Sequence, residues 1–411
     1  MGRISDCPCG KQHETQLKYL ELGAGVLAKL PEMLQQAGYR RPFAICDPNT
    51  YAAAGQRALA LLDAAGISYR YLQLRENKPE PDEAALGQLC MQFDASCDCI
   101  LAIGGGVIND LGKMLAAATG KRSIMVATAP SMDGFASGSG SMVVGGVKVS
   151  LSCPCPIGVI ADTEIMAAAP MRMLQAGLGD ALAKYISICE WRIAHLVTGE
   201  YYCPEIAQMV RTSLKNTVTQ ADRLLARDQE AVRNVAEALI LSGIAMGLAG
   251  VSRPASGIEH YFSHMWEMRA FERGEQSDLH GIQVGVGTLL AARLYEWIAE
   301  LTPSRELAEA HMRGFSQAQW EAEMPQYFGS AAPEIIAVEH RLKKNDPAQH
   351  AGRLERILAC WPEILQIIRE EIPPYEQIYS LMKKAEMPMM PADLGFSPAQ
   401  TREAFLGTRE I

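Results

Sequence analysis

The sequence has no basic run. Its 38 lysines and arginines face 47 acids, for a formal net charge of −9 over 411 residues. A nucleic-acid backbone is bound by a clustered basic face, so no nucleic-acid partner is expected. No apolar run is long enough for a membrane span. The longest near-apolar stretch, residues 236–251, is broken by Ser242, Gly243 and Gly247. It falls short of the ~18 residues that a span requires. Residues 1–15 lack the apolar centre of a signal peptide, and position 6 is not the Ser or Thr that a myristoylation signal wants. A cytoplasmic protein is therefore expected. Internal repeats and low-complexity tracts are also missing, which excludes solenoids and biased linkers.

A disulfide framework is not expected either. The cysteines number 11, an odd count in a long chain. Cys7-x-Cys9 with His13 has the outline of a metal hairpin. Zinc hairpins usually place ~2–4 residues between their cysteines, however, and no second pair follows at a convincing spacing. Reduced structural thiols are the expected state of nearly all eleven. What the chain does have is an ordinary globular balance, 48% hydrophobic and 21% charged. That excludes disorder, collagen and coiled coil as global descriptions. At ~100–200 residues per domain, the length suggests two or three domains.

Short apolar runs alternate with helical patterns in the first part of the chain. Strands are predicted at 42–47, 68–74, 98–103 and 123–128, with helices at 51–65, 81–93 and 107–119. This alternation predicts crossover units and a parallel sheet. Beyond about residue 165 the patterns are long and helical. The expected organisation is an α/β N-terminal Rossmann-like parallel-sheet domain, residues 1–165, followed by an all-α C-terminal domain, residues 166–411.

The strand 98–103 runs straight into Gly104, Gly105 and Gly106 and then into a helix bearing Asp110 and Lys113. Glycine lets the backbone approach a phosphate closely, and the helix N-terminus presents unpaired N–H groups. This is neither G-x-G-x-x-G nor a P-loop. A tight turn that needs glycine for packing is the alternative, but three in succession exceed that need and favour a dinucleotide diphosphate. Asp47, at a strand end, suits either an adenosine ribose or an ordinary turn before Pro48.

Among eight histidines, His260, His264 and His280 cluster. His260 and His264 are four apart on a helical pattern, so they share a face with Cβ atoms ~5–6 Å apart. They read as two ligands of one metal, or as one ligand and one group acting on bound substrate. A satisfied polar stripe in a helical core is the alternative. His280 opens a glycine-rich apolar segment, and Asp180 follows the glycines of Gly177-Leu-Gly-Asp180. One carboxylate and two imidazoles form a catalytic divalent-metal set with an open position. The other reading of Asp180 is a helix N-cap.

Five motifs together resemble one superfamily. They are Gly104-Gly-Gly-Val-Ile-Asn-Asp110, Thr128-Ala-Pro-Ser-Met-Asp-Gly134-Phe-Ala-Ser137, Gly177-Leu-Gly-Asp180, Ser256-Gly-Ile-Glu-His260-Tyr-Phe-Ser-His264, and His280-Gly281. Over nearly the whole chain they resemble the glycerol dehydrogenase, iron-type alcohol dehydrogenase and dehydroquinate synthase superfamily. The second and fourth motifs are most similar to its sn-glycerol-1-phosphate dehydrogenase branch. The resemblance implies that Gly104, Gly105, Gly106 and Asp110 bind the dinucleotide diphosphate. It also implies that Thr128, Ser131 and Ser137 touch the nicotinamide half. Asp133 would contact substrate, Asp180, His260 and His280 would hold zinc or nickel, and His264 would sit beside the substrate. The implied activity is metal-dependent, NAD- or NADP-linked reduction of dihydroxyacetone phosphate, a small phosphorylated three-carbon substrate, to sn-glycerol 1-phosphate. A homo-oligomer is implied as well.

Three other functions stay open on the sequence. A dehydrogenase of glycerol or another polyol would differ in its phosphate pocket, for which Lys148 and Arg253 are candidates, each reading equally as a solvated surface charge. A synthase would use the nucleotide only transiently. A non-catalytic nucleotide- or metal-binding protein would keep the scaffold without turnover.

Overall fold

The computed structural model describes residues 3–4, 6–76, 79–145 and 147–410, without the side chains of 3, 4, 147 and 148. The chain forms two compact units, Met1–Leu182 with Cys203–Ala255, and Ala183–Tyr202 with Ser256–Ile411.

The first unit contains a six-stranded sheet in the spatial order Tyr19–Gly23, Gly158–Asp162, Arg122–Ala127, Cys99–Gly104, Pro42–Cys46, Arg70–Gln73. Every pairing is parallel. The central strands are buried along their whole length, as strands covered on both faces must be. Leu27, Leu34, Leu62, Leu101, Val126 and Ile160 belong to the core that helices and sheet share. Pairing in register brings Gly104 opposite Ala127, and Ile45 opposite Ala102. Parallel strands end together, so Asp47, the glycine turn and Thr128 emerge at one edge of the sheet. In open α/β sheets that carboxyl edge is where ligands bind.

The predicted strands 42–47, 98–103 and 123–128 are found within a residue or two. The segment 51–65 differs: a π-helical turn at Tyr51–Gly55 precedes the α-helix Gln56–Ala64. The sequence reading had no counterpart for the strands Tyr19–Gly23 and Gly158–Asp162, nor for the antiparallel hairpin Ser139–Val144 with Val147–Ser152. No strand follows Asp162 among the described residues, and the helical texture beginning near 165 is shared by both units.

One described helix, Gln229–Ala249, is long and apolar enough to cross a membrane, but its apolar window is 67% buried. It starts well before residue 236 because Asp228 caps it, accepting from the amides of Glu230 and Ala231. It packs on the helices Pro204–Thr219 and Met171–Leu182 of the same unit.

The second unit is helical throughout its described residues, with Ile258–Glu272 and His280–Glu300 packed side by side. Gly287 permits that approach: a Cβ there would lie 2.4 Å from the Glu259 carbonyl oxygen. Trp266 and Phe262, both buried, anchor the first of these helices. Trp266 stacks on Phe396 at 5.2 Å between ring centroids.

Candidate functional site

In the first unit, the strand Cys99–Gly104 turns through Gly105 into the helix Gly106–Thr119. The three glycines have different jobs. A Cβ on Gly104 would meet the Ile108 Cβ at 2.5 Å, and one on Gly106 would meet Met132 Cγ at 3.1 Å. A Cβ on Gly105 would meet nothing within 4 Å. Gly104 and Gly106 are therefore set by packing, while Gly105 borders open space where the helix presents its unpaired amides. That is a fitting cradle for a diphosphate.

Behind the turn, Lys113 is buried and donates to the Gly134 carbonyl at 3.0 Å, to Ser137 Oγ at 3.3 Å, and to the Ser139 carbonyl. Asp110 pairs with Lys113 at 3.0 Å and accepts from Asn109 at 3.3 Å. Asp110 and Ser137 thus both engage a lysine that ties the helix to the loop 134–139. Thr128 is buried and donates its amide to the Gly104 carbonyl at 3.0 Å, while Ser131 is half-buried further along the same segment. Asp47 is a helix cap, accepting from the Thr50 amide at 2.9 Å, with Thr50 Oγ1 accepting from the Asp47 amide at 3.0 Å. Burial raises its pKa above the ordinary value, and the bonds from Thr50 and Asn49 oppose that rise.

Asp180 is fully buried inside the helix Met171–Leu182, so it is not an N-cap. It accepts the Asp133 amide at 3.0 Å, and the Asp133 carboxylate in turn accepts from Ser242 Oγ at 2.8 Å. The glycines of the motif explain this meeting. A Cβ on Gly177 would lie 1.9 Å from the Pro130 carbonyl oxygen, and one on Gly243 would lie 2.8 Å from that of Asp133. Only bare helix surface admits the loop that carries Asp133. Gly177 and Asp180 are three apart and share one face, so one turn of helix serves both purposes.

In the second unit the three imidazoles come together. Ring centroids are 5.3 Å apart for His260 and His280, 5.9 Å for His264 and His280, and 6.4 Å for His260 and His264. His260 Nδ1 lies 2.8 Å from Glu259 Oε1, which also accepts the Gly257 amide at 2.8 Å. His280 Nδ1 lies 3.2 Å from Glu267 Oε1 and 3.1 Å from Ser263 Oγ. Carboxylates that hold Nδ1 fix the ring and direct Nε2 toward a metal. Donor chemistry and outer shell therefore suit a divalent ion. The His264 side chain keeps 41% of its surface accessible. Desolvation of its ring nonetheless holds its pKa below the ordinary histidine value, with Glu267 pulling the other way.

Sequence reasoning missed Glu259 and Glu267, although both stood within the histidine motif's helix. It also missed Glu190, which caps that helix by accepting the Ile258 amide at 3.1 Å and the Tyr295 hydroxyl at 3.0 Å.

Residues 21–170 match the family described as iron-containing alcohol dehydrogenase. Among solved structures, maleylacetate reductase from Rhizobium sp. strain MTP-10005 shares the fold. It is 16% identical with a TM-score of 0.61, covering 98% of this chain and 92% of that one. The chain is also similar to the glycerol-1-phosphate dehydrogenase, NAD(P)+, of Halalkalibacterium halodurans. The two are 38% identical over 296 residues, 71% of this chain and 74% of the relative. The namesake from Geobacillus stearothermophilus is 29% identical over 396 residues, 95% of this chain and 89% of the relative. The chain belongs to the glycerol-1-phosphate dehydrogenase family of the iron-containing alcohol dehydrogenases.

Proposed function

We infer that this chain reduces dihydroxyacetone phosphate to sn-glycerol 1-phosphate, reversibly, with NADH or NADPH and one divalent metal. Beside family membership, the histidine cluster carries this reading: His260 and His280 stand 5.3 Å apart, and each engages a carboxylate through Nδ1. Asp180, His260 and His280 are the proposed ligands, a set that takes zinc or nickel. When bound, the metal supplies a Lewis acid that makes the ketone a better hydride acceptor.

The chain's own residues supply position and protons. Gly104, Gly105, Gly106 and the helix start receive the dinucleotide diphosphate, with Asp110 beside them. Thr128, Ser131 and Ser137 serve the nicotinamide half, and Asp47 the adenosine ribose. Bound NADH or NADPH would supply a hydride for C2, and His264 would deliver the proton to the C2 oxygen. Asp133, braced by Ser242, orients the substrate. Arg253 is the proposed phosphate partner, while the Lys148 side chain lies outside the described residues. The same reading includes a cytoplasmic homo-oligomer.

The test is turnover on dihydroxyacetone phosphate and on dihydroxyacetone, each with NADH and NADPH, after metal stripping and re-addition of zinc or nickel. Loss on stripping, recovery on re-addition and preference for the phosphate are expected. Preference for the unphosphorylated ketone would instead indicate a polyol dehydrogenase, and inertness towards both a binding protein.

A further inference from the structure

A cluster of thiols and imidazole stands in the first unit, built from residues with no role in the chemistry above. Cys7, Cys9, His13 and Cys203 each offer one donor atom, and the four donors lie within 4.8 Å of one another. Cys7 Sγ and Cys203 Sγ are 3.4 Å apart, Cys9 Sγ and His13 Nε2 3.1 Å, and Cys203 Sγ and His13 Nε2 3.6 Å. A tetrahedral zinc with ordinary bond lengths would separate its sulfurs by about 3.8 Å, and sulfur from nitrogen by about 3.6 Å. The cage thus needs little adjustment to close on an ion. Cys7, His13 and Cys203 are all buried.

The surroundings are arranged for ligation. His13 Nδ1 lies 2.9 Å from the Leu248 carbonyl oxygen, an acceptor only, so Nδ1 carries the proton and Nε2 is the nitrogen turned to the sulfurs. Cys203 is the N-cap of the 16-residue helix Pro204–Thr219. Gly10, at φ +78°, closes a turn by donating its amide to the Cys7 carbonyl at 2.9 Å. That turn folds Cys9 back over Cys7. The Cys-x-Cys spacing alone is too short to signal zinc, and the fourth donor lies 190 positions beyond His13.

We propose that Cys7, Cys9, His13 and Cys203 bind a structural zinc ion, separate from the catalytic metal. Binding releases three thiol protons to solvent and leaves a site of net charge −1, with no electron transferred. Four protein donors leave no position for substrate. The ion would fasten residues 7–13 to the helices Pro204–Thr219 and Gln229–Ala249.

The experiment is metal analysis of the full-length protein, purified under reducing conditions with zinc, before and after dialysis against EDTA. One zinc per chain should survive dialysis, and its X-ray absorption should show a shell of three sulfurs and one nitrogen. Cys203→Ser and Cys9→Ser should each lose that zinc and melt at a lower temperature, with turnover per folded chain unchanged. His260→Ala should keep it. Should the cysteine variants not fold, the wild-type absorption spectrum decides alone. A retained metal with only nitrogen and oxygen neighbours, no retained metal, or a disulfide joining Cys7 to Cys203 would overturn the proposal.

Discussion

The two clusters of metal-binding side chains differ in how the chain assembles them. The histidines of the second unit come from two successive helices, and their Nδ1 atoms are held by Glu259 and Glu267. The cysteines and histidine of the first unit join the start of the chain to Cys203, 196 positions beyond Cys7. One cluster has imidazoles backed by carboxylates, which raise ligand basicity and suit a centre that must admit a substrate. The other closes three sulfurs and a nitrogen against a backbone carbonyl, which suits a clamp. The contrast teaches that an open site built on neighbouring helices leaves a local trace in sequence. A closed site made by chain return shows only its local part, here Cys7, Cys9 and His13, and hides the donor that completes it.

The sharpest way to break this comparison is His280→Ala or Asp180→Ala. Losing several kcal/mol of Lewis-acid stabilisation lowers kcat at least ~1,000-fold. The melting transition should stay cooperative and the sulfur-bound zinc should remain. Normal NADH oxidation by either variant would refute the ligand assignment. Next comes Glu267→Gln, which leaves an acceptor of similar shape beside His280. It should weaken metal affinity ~10–100-fold, read by competition with a chelating dye. Unchanged affinity would mean that the carboxylate has no outer-shell role.

A smaller effect sharpens the reading of the glycine turn. Gly105→Ala meets open space, so stability to urea should change by less than ~0.5 kcal/mol while NADH binds ~10-fold more weakly. Gly104→Ala, with a Cβ 2.5 Å from that of Ile108, should cost ~1–3 kcal/mol of stability. Equal losses of stability in the two variants would contradict the division between a packing glycine and a ligand-facing one.

Much of the first unit was legible because its central strands are continuous apolar runs bounded by turn residues. The strand Tyr19–Gly23 was not, since it is only half-buried at the sheet edge and carries Glu21 in its middle. In the hairpin at 139–152 the first strand, Ser-Gly-Ser-Met-Val-Val, has no regular alternation, while the second, Val-Lys-Val-Ser-Leu-Ser, alternates apolar and polar residues and carried a strand signal that sequence reasoning missed. The histidine pair was legible through its four-residue spacing, and its return partner His280 through the glycine-rich helix that follows. The carboxylates behind them were in plain view but looked like ordinary helix charges. Asp180 was legible as a residue of interest, and burial within its helix removes the N-cap alternative. Cys203 could not be found, because only the packing of the helix Pro204–Thr219 brings it to Cys7.

The most direct test of the central claim is the stereochemistry of the product formed from dihydroxyacetone phosphate and NADH by the metal-loaded protein. The account predicts sn-glycerol 1-phosphate alone. Formation of sn-glycerol 3-phosphate, or no NADH oxidation with this substrate, would contradict it.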